Sequence, residues 1–353
     1  MVSIIIPVFN AARCLPKCVK SVLSQTYTEF ECILINDGSQ DNSLSLCQYY
    51  AMKDSRVFVI DKENEGVDKA RFDGLNHAKG EFVMFVDSDD WLEVHALEEL
   101  VKPMCEFEAD MVVGLMRGVY NIGCFFIRDW RNRTSKCSNR LILHEEMMKD
   151  YYISFFGINL LPVSMCATLY RRSIINEAKL RPSGLGFGED LTFNMKLMPY
   201  VRRYYMIDKV IYNYRKDSLG SSSKYLDNWL KNARLLFDTK MSQIENLHYN
   251  KAVKWQLIEY VNYIKTYVSN TLIHDSKNLE SRKNLLRDEF LLYKFANKVY
   301  PLLTMDYKDT EFFNAIQKED IDQLFEIIHS RLMQNNFLYN LRVRLGVSGI
   351  RKY

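Results

Sequence analysis

Over its first 114 residues the chain alternates four short apolar runs with three segments of helical period, a rhythm that few folds accommodate. Residues 2–6, 31–35, 57–60 and 82–86 read as buried strands. Between them Leu15–Leu23 and residues 43–52 and 68–78 place apolar side chains three and four apart, so each has one face to lay on a sheet. Strand, crossover helix, strand is the signature of an α/β domain with a mostly parallel central sheet flanked by helices. No GxGxxG follows any of these strands, which counts against the dinucleotide-binding variant.

The pattern loosens over residues 115–180, where aromatics mix with a polar segment at 128–140 and strand, loop and helix all stay open. A Gly-rich stretch, PSGLGFGEDLTF, then leads into a helical run, and VIYNYRKDSLGSSS closes this half with a strand and a Ser-rich loop. A first domain is therefore expected at residues 1–223 and a second at 224–353. The second carries helical period and one proline, Pro301, and is expected to be all-helical. It holds 20 basic against 15 acidic residues, with the excess at its end. There Arg331, Arg342, Arg344, Arg351 and Lys352 interleave with Phe337, Leu338, Leu341 and Val343. Such a segment suits either a solvated helix docked on its neighbours or peripheral contact with an anionic membrane.

Several function classes drop out on charge and composition. With 47 basic and 44 acidic residues there is no global case for nucleic-acid binding, and no nucleic-acid partner is expected. The opening apolar run is too short for a signal-peptide core, and no stretch of roughly 18 apolar residues follows to span a bilayer. The eight cysteines lack zinc-knuckle spacing and are expected to be reduced thiols. The expected address is the cytoplasm, with peripheral attachment at the inner membrane face left open by the basic segment.

In a parallel sheet, ligands bind beyond the carboxyl ends of the strands, where loops diverge and helix N-termini point outward. The residues at that edge are Pro7 to Asn10, Asn36 to Ser39, Asn64 to Gly66 and Asp87 to Asp90, so acid and amide side chains recur there. In FVMFVDSDDW, Asp87 and Asp89 are two apart; if the extended backbone persists past Val86, both carboxylates face the same way. Hard oxygen donors in this number suit Mg²⁺ or Mn²⁺ completed by water and phosphate. Asp90, before Trp91 and Leu92, reads as the cap of a helix. Trp91 offers an apolar face to a sugar ring or belongs to the core. Six histidines lack any ligand-like or triad-like spacing, and there is no nucleophile elbow or Walker loop.

Taken together, SIIIPVFN, INDGSQDNS, NEGVDKARFDG and GEFVMFVDSDDW, in this order, resemble the nucleotide-sugar-binding half of family 2 glycosyltransferases of the GT-A fold. The likeness continues more thinly through LYRRSII, FGEDLTF and YNYRKDS, over about the first 220 residues. It implies that Pro7, Val8, Phe9 and Asn10 pack against the nucleobase and that Asp37 hydrogen-bonds the base or ribose. It places Arg71 near the base and diphosphate, Asp87 at the ribose with Ser88 beside it, and Asp89 on a Mn²⁺ or Mg²⁺ ion bridging the donor phosphates. Glu189 and Asp190 match the family's acid pair, whose Asp takes the acceptor proton in an inverting displacement; the alternative is an acidic first turn favoured by the helix dipole. Gly184, Gly186 and Gly188 allow the preceding loop to reach over the site, and Tyr214, Arg215 and Ser218 are placed to close the phosphates from the far side. The chain departs from the family at Asn36, Asp73 and Thr168. The partners implied are a nucleoside-diphosphate sugar, UDP by family frequency, and a glycan or lipid-linked acceptor. The competing readings are a catalytically inactive nucleotide- or carbohydrate-binding protein on the same fold and a sugar nucleotidyltransferase-like enzyme.

Overall fold

The computed structural model describes residues 1–120, 127–129, 137–158, 160–216, 228–293 and 309–334. Two compact units divide the chain, Met1–Asp217 and Ser218–Tyr353; the boundary expected near Ser223 lies outside the described residues.

The first unit opens with β1 (Val2–Val8), α1 (Leu15–Leu23), β2 (Phe30–Asp37), α2 (Ser43–Lys53), β3 (Val57–Lys62), α3 (Val67–His77) and β4 (Phe82–Phe85). Strands β3, β2, β1 and β4 lie side by side, all parallel. Every residue of β1 is buried, as a central parallel strand requires. Ile4, Ile6 and Val8 join the core with Leu15, Cys18, Val19 and Val22 of α1, which are spaced at three and four residues along that helix. On the other face α3 closes onto the sheet through Gly74, where an added Cβ would sit 2.5 Å from Ile5 Cγ2 and 2.8 Å from Ile35 Cδ1.

Beyond β4 come β5 (Trp91–Leu92), α4 (Ala96–Glu106), β6 (Met111–Tyr120), β7 (Ile127–Asp129), β8 (Arg140–Leu143), α5 (His144–Glu146), β9 (Thr168–Arg171), α6 (Arg172–Ala178), α7 (Glu189–Leu197) and β10 (Arg203–Lys216). The parallel order ends at β4. Strand β9 inserts between β4 and β6, antiparallel to both, and β5 pairs antiparallel with the far side of β10, so the sheet as a whole is mixed. The stretch without a clear period in the sequence thus supplies β6 to β9. Strand β7 pairs with its neighbour β6, but β8 pairs with β10 and β9 with β4 and β6, partners distant along the chain.

The second unit is helical where described: α8 (Trp229–Asn246), α9 (Val253–His274), α10 (Leu279–Tyr293), α11 (Thr310–Gln317) and α12 (Ile321–Gln334). Helices α8 and α9 pack through Phe237 and Tyr260, with ring centroids 4.7 Å apart, and through a buried pair, Lys240 Nζ to Glu259 Oε2 at 2.6 Å. Asp309, which caps α11, binds Lys265 of α9 and Arg331 of α12. Of the basic C-terminal residues only Arg331 is described, and its guanidinium is engaged by Asp309 and Glu311. Among the described residues no helix is long and apolar enough to cross a membrane.

Candidate active site

The loops at the carboxyl edge of β1, β2 and β3 are laced to one another. Ser39 Oγ accepts the Asn10 N–H at 3.1 Å, Asn10 Oδ1 accepts from Gln40 N at 2.8 Å, and Ser43 Oγ accepts from Ala11 N at 2.9 Å. Asn10 takes the left-handed conformation, φ 49°, which its short polar side chain tolerates. Pro7 and Val8 are buried at the end of β1, whereas Phe9 is 50% exposed on this edge. Asp37 is buried, and its two carboxylate oxygens accept from Glu65 N and Gly66 N, each at 2.9 Å. That acid therefore fixes the loop leading into α3, a task that the motif alone does not disclose. Asp73 is taken up by Lys62 and Lys69.

After β4 the extended backbone does not persist as far as Asp89. The Asp90 N–H bonds the Asp87 carbonyl at 3.0 Å, closing a turn with Ser88 and Asp89 at its centre. Strand alternation is thereby lost, and the two carboxylates are not aligned by pleat. Asp90 is no helix cap either, since Trp91–Leu92 is a strand. Its buried carboxyl accepts from Tyr212 Oη at 2.8 Å and from Arg215 N at 2.7 Å, while Tyr212 Oη in turn accepts the Asp87 N–H at 3.1 Å. Burial, reinforced by Asp87 and Asp89, pushes the Asp90 carboxyl up to about 8. Trp91 is half-buried with Lys17 Nζ 3.1 Å from its ring centroid and Arg215 Cζ at 5.5 Å, a cation-bearing platform rather than a bare apolar face.

Arg71 gathers the acids. On α3 and 3% exposed, it donates through Nη2 to Asp87 Oδ1 at 2.8 Å and through Nη1 to Asp190 Oδ1 at 2.8 Å and Glu189 Oε1 at 3.3 Å. Burial by itself would weaken its protonation, but Asp87, Asp190 and Glu189 overcome that and hold the guanidinium firmly charged. Burial, with Asp190 beside it, raises the Glu189 carboxyl, and Arg71 opposes this. Glu189 and Asp190 also form the acidic first turn of α7, entered through Gly188 at φ 79°, so the dipole reading and the site reading describe the same two residues.

Beneath the acids lies an aromatic cluster. Phe193 meets Phe72, Phe85 and Tyr170 edge-on, with centroids 5.7 to 6.1 Å apart. These rings belong to α7, α3, β4 and β9, so the packing fixes the elements that carry Asp190, Arg71 and Asp87. The loop 181–188 is fastened to α3 by Ser183, whose Oγ donates to Asp68 Oδ2 at 2.8 Å.

Sequence reasoning passed over three participants. Ser164 Oγ donates to Asp190 Oδ2 at 2.9 Å, Cys166 Sγ lies 3.5 Å from Asp87 Oδ2, and Tyr212 bridges Asp87 and Asp90. No spacing signal could have found them, since each is distant in the chain from the acid it serves. Ser218 lies outside the described residues.

Among the described residues no three His, Cys, Asp or Glu side chains are grouped to enclose a metal. The turn instead offers hard oxygen donors at Asp87 and Asp89, a partial set of the kind that suits a divalent cation keeping water and phosphate ligands.

Residues 3–178 match the model of glycosyl transferase family 2. The chain is 28% identical over 267 residues to glycosyltransferase GlyA of Streptococcus pneumoniae serotype 4, covering 73% of this chain and 37% of that protein. It is 28% identical over 293 residues to glycosyltransferase GlyG of the same organism, covering 81% and 93%, and 30% identical over 227 residues to the cholesterol galactosyltransferase of Borreliella burgdorferi, covering 63% and 62%. Residues 1–349 of S. aureus TarS superpose with a TM-score of 0.65 at 20% identity over 94% of this chain and 91% of that one, and their complex with UDP-GlcNAc with 0.64 at 21%. At such identity the structural likeness concerns the fold.

Proposed function

The chain belongs to glycosyl transferase family 2, and from that premise we propose that it moves a sugar, with inversion, from a nucleoside-diphosphate sugar to a hydroxyl group of a glycan or lipid-linked acceptor. The observation that carries this reading is the convergence on Arg71 of Asp87, Glu189 and Asp190, acids up to 103 residues apart, beside the turn that bears Asp89. UDP is the preferred nucleotide, in line with the UDP-GlcNAc complex of the TarS neighbour.

In this reading the exposed ring of Phe9, with the backbone of Pro7 to Asn10, receives the base. Asp37 keeps lone pairs beyond its two backbone bonds for the base or ribose. Asp87, held by Arg71, faces the ribose. Asp190 accepts the proton of the incoming hydroxyl as its oxygen bonds to the anomeric carbon and the bond to the diphosphate oxygen breaks on the opposite side. Asp89 would hold Mn²⁺ or Mg²⁺, which would supply neutralisation of the charge growing on the leaving diphosphate. Arg71 holds the Asp190 carboxylate in place through Oδ1.

The test is turnover of UDP-sugars with Mn²⁺ by the Asp89→Asn variant. We expect kcat/KM to fall at least about a hundredfold, the scale of a lost Lewis-acid contribution of several kcal/mol. Undiminished activity would remove the metal assignment.

A further inference from the structure

Three consecutive residues that belong to no motif, Ser164 to Cys166, between them touch both key carboxylates. Ser164 Oγ donates to Asp190 Oδ2 at 2.9 Å and the Met165 N–H reaches the same oxygen at 3.2 Å, while Cys166, whose buried thiol is kept protonated, puts Sγ 3.5 Å from Asp87 Oδ2. Arg71 holds the other oxygen, Oδ1, of each of these two acids. Each carboxylate is therefore gripped from two sides, by a guanidinium on α3 and by residues 164–166.

The segment is itself locked to the helix that carries Asp190. Asn194, one turn further along α7 and 1% exposed, donates through Nδ2 to the carbonyls of Val163 and Ser164, both at 3.0 Å. Its Oδ1 accepts from Tyr170 Oη at 2.8 Å. Ser164 Oγ accepts the Cys166 N–H at 3.2 Å, which leaves its proton for Asp190. A flexible loop would not present a hydroxyl in one fixed direction; this one is tied at three successive residues.

We propose that residues 163–166 are a positioning element for the displacement, with Ser164 the residue that orients the Asp190 carboxylate so that Oδ1 faces the acceptor hydroxyl. The inference rests on the reading of Asp190 as the base. Oδ2 has its lone pairs taken by Ser164 and the Met165 N–H, whereas Oδ1 has one bond, to Arg71, and a lone pair left over. Without the Ser164 hydroxyl only the longer Met165 N–H bond is left on Oδ2, so the carboxylate is held less firmly against rotation about its Cβ–Cγ bond and the separate duties of the two oxygens blur.

The experiment uses the full chain with UDP-sugar, Mn²⁺ and whichever acceptor or hydrolytic turnover the wild type supports. Ser164→Ala is expected to lower kcat roughly tenfold, the usual scale for one hydrogen bond to a charged group, with donor KM held within about twofold. Ser164→Thr, which keeps the hydroxyl, restores kcat. A merely structural Ser164 would lower donor affinity and melting temperature together, and that result, or wild-type kcat in Ser164→Ala, overturns the proposal. Asp190→Asn separates the two levels: if it turns over normally the base assignment falls and this proposal with it, whereas if it is inactive and Ser164→Ala is indistinguishable from wild type, the positioning role alone is rejected.

Discussion

A single guanidinium facing three carboxylates in a mostly buried setting makes Arg71 the residue on which the packing of this site leans and, in the proposed reading, its chemistry as well. Removing one partner from such a cluster leaves uncompensated charge, a penalty of about 3–5 kcal/mol in comparable buried pairs. Arg71→Met is therefore expected to lower the melting temperature and to reduce kcat/KM by more than a hundredfold. Arg71→Lys should rescue little, because one ammonium cannot reproduce the fork that serves Asp87 on one nitrogen and Asp190 with Glu189 on the other. Thermal melts and donor turnover measured on the same preparations check both. The acids themselves were legible in the sequence as a family pattern. Their common arginine was legible only as a residue near the phosphates, since nothing in the spacing of residues 71, 87 and 190 brings them together.

At the scale of elements, position along a helix converts packing into chemistry. Gly74 lies one turn after Arg71 on α3, and its missing Cβ lets the helix settle against Ile5 and Ile35. Gly74→Ala would gain about 1 kcal/mol of helix propensity but lose roughly 1–3 kcal/mol to overpacking against buried side chains, so a net loss of stability is expected. Because the helix must lift or rotate, Arg71 shifts with it, and kcat should fall further than stability predicts; equal melting temperatures with equal kcat would refute this. The helices were the most legible elements: Leu15–Leu23 is found with the bounds its period predicts, because an amphipathic stripe records its buried face locally. The fourth strand was less so. It stops at Phe85, and a turn replaces the extended course to Asp89 because Asp90 is drawn to Tyr212 and Arg215 of β10, 122 and 125 residues away. Alternation is a rule for strands, and long-range polar contacts decided where the strand ended.

For the whole molecule, the second unit offers its own test. Asp309 draws together α9, α11 and α12 through Lys265, its own helix cap and Arg331. Burial works against its charge, yet those partners bring the carboxyl down to about 2, below the usual 3.8. Since the folded value lies below the unfolded one, the stabilisation is present above about pH 4 and fades as pH falls toward 2. Asp309→Asn should destabilise the chain at neutral pH and flatten the acid side of its stability curve, measured by denaturant melts at pH 7 and pH 3; identical slopes would discount the linkage. By itself the sequence determined the four strands and three helices that alternate up to β4, that helices follow in the second unit, and which acids the family resemblance singles out, because periodicity and motif are written in neighbouring residues. The antiparallel insertion of β9, the burial of Arg71 among three acids, the turn from Asp87 to Asp90 and the grip of Ser164 were decided by tertiary structure alone, because each joins residues whose proximity exists only once the sheet and α7 have closed around them.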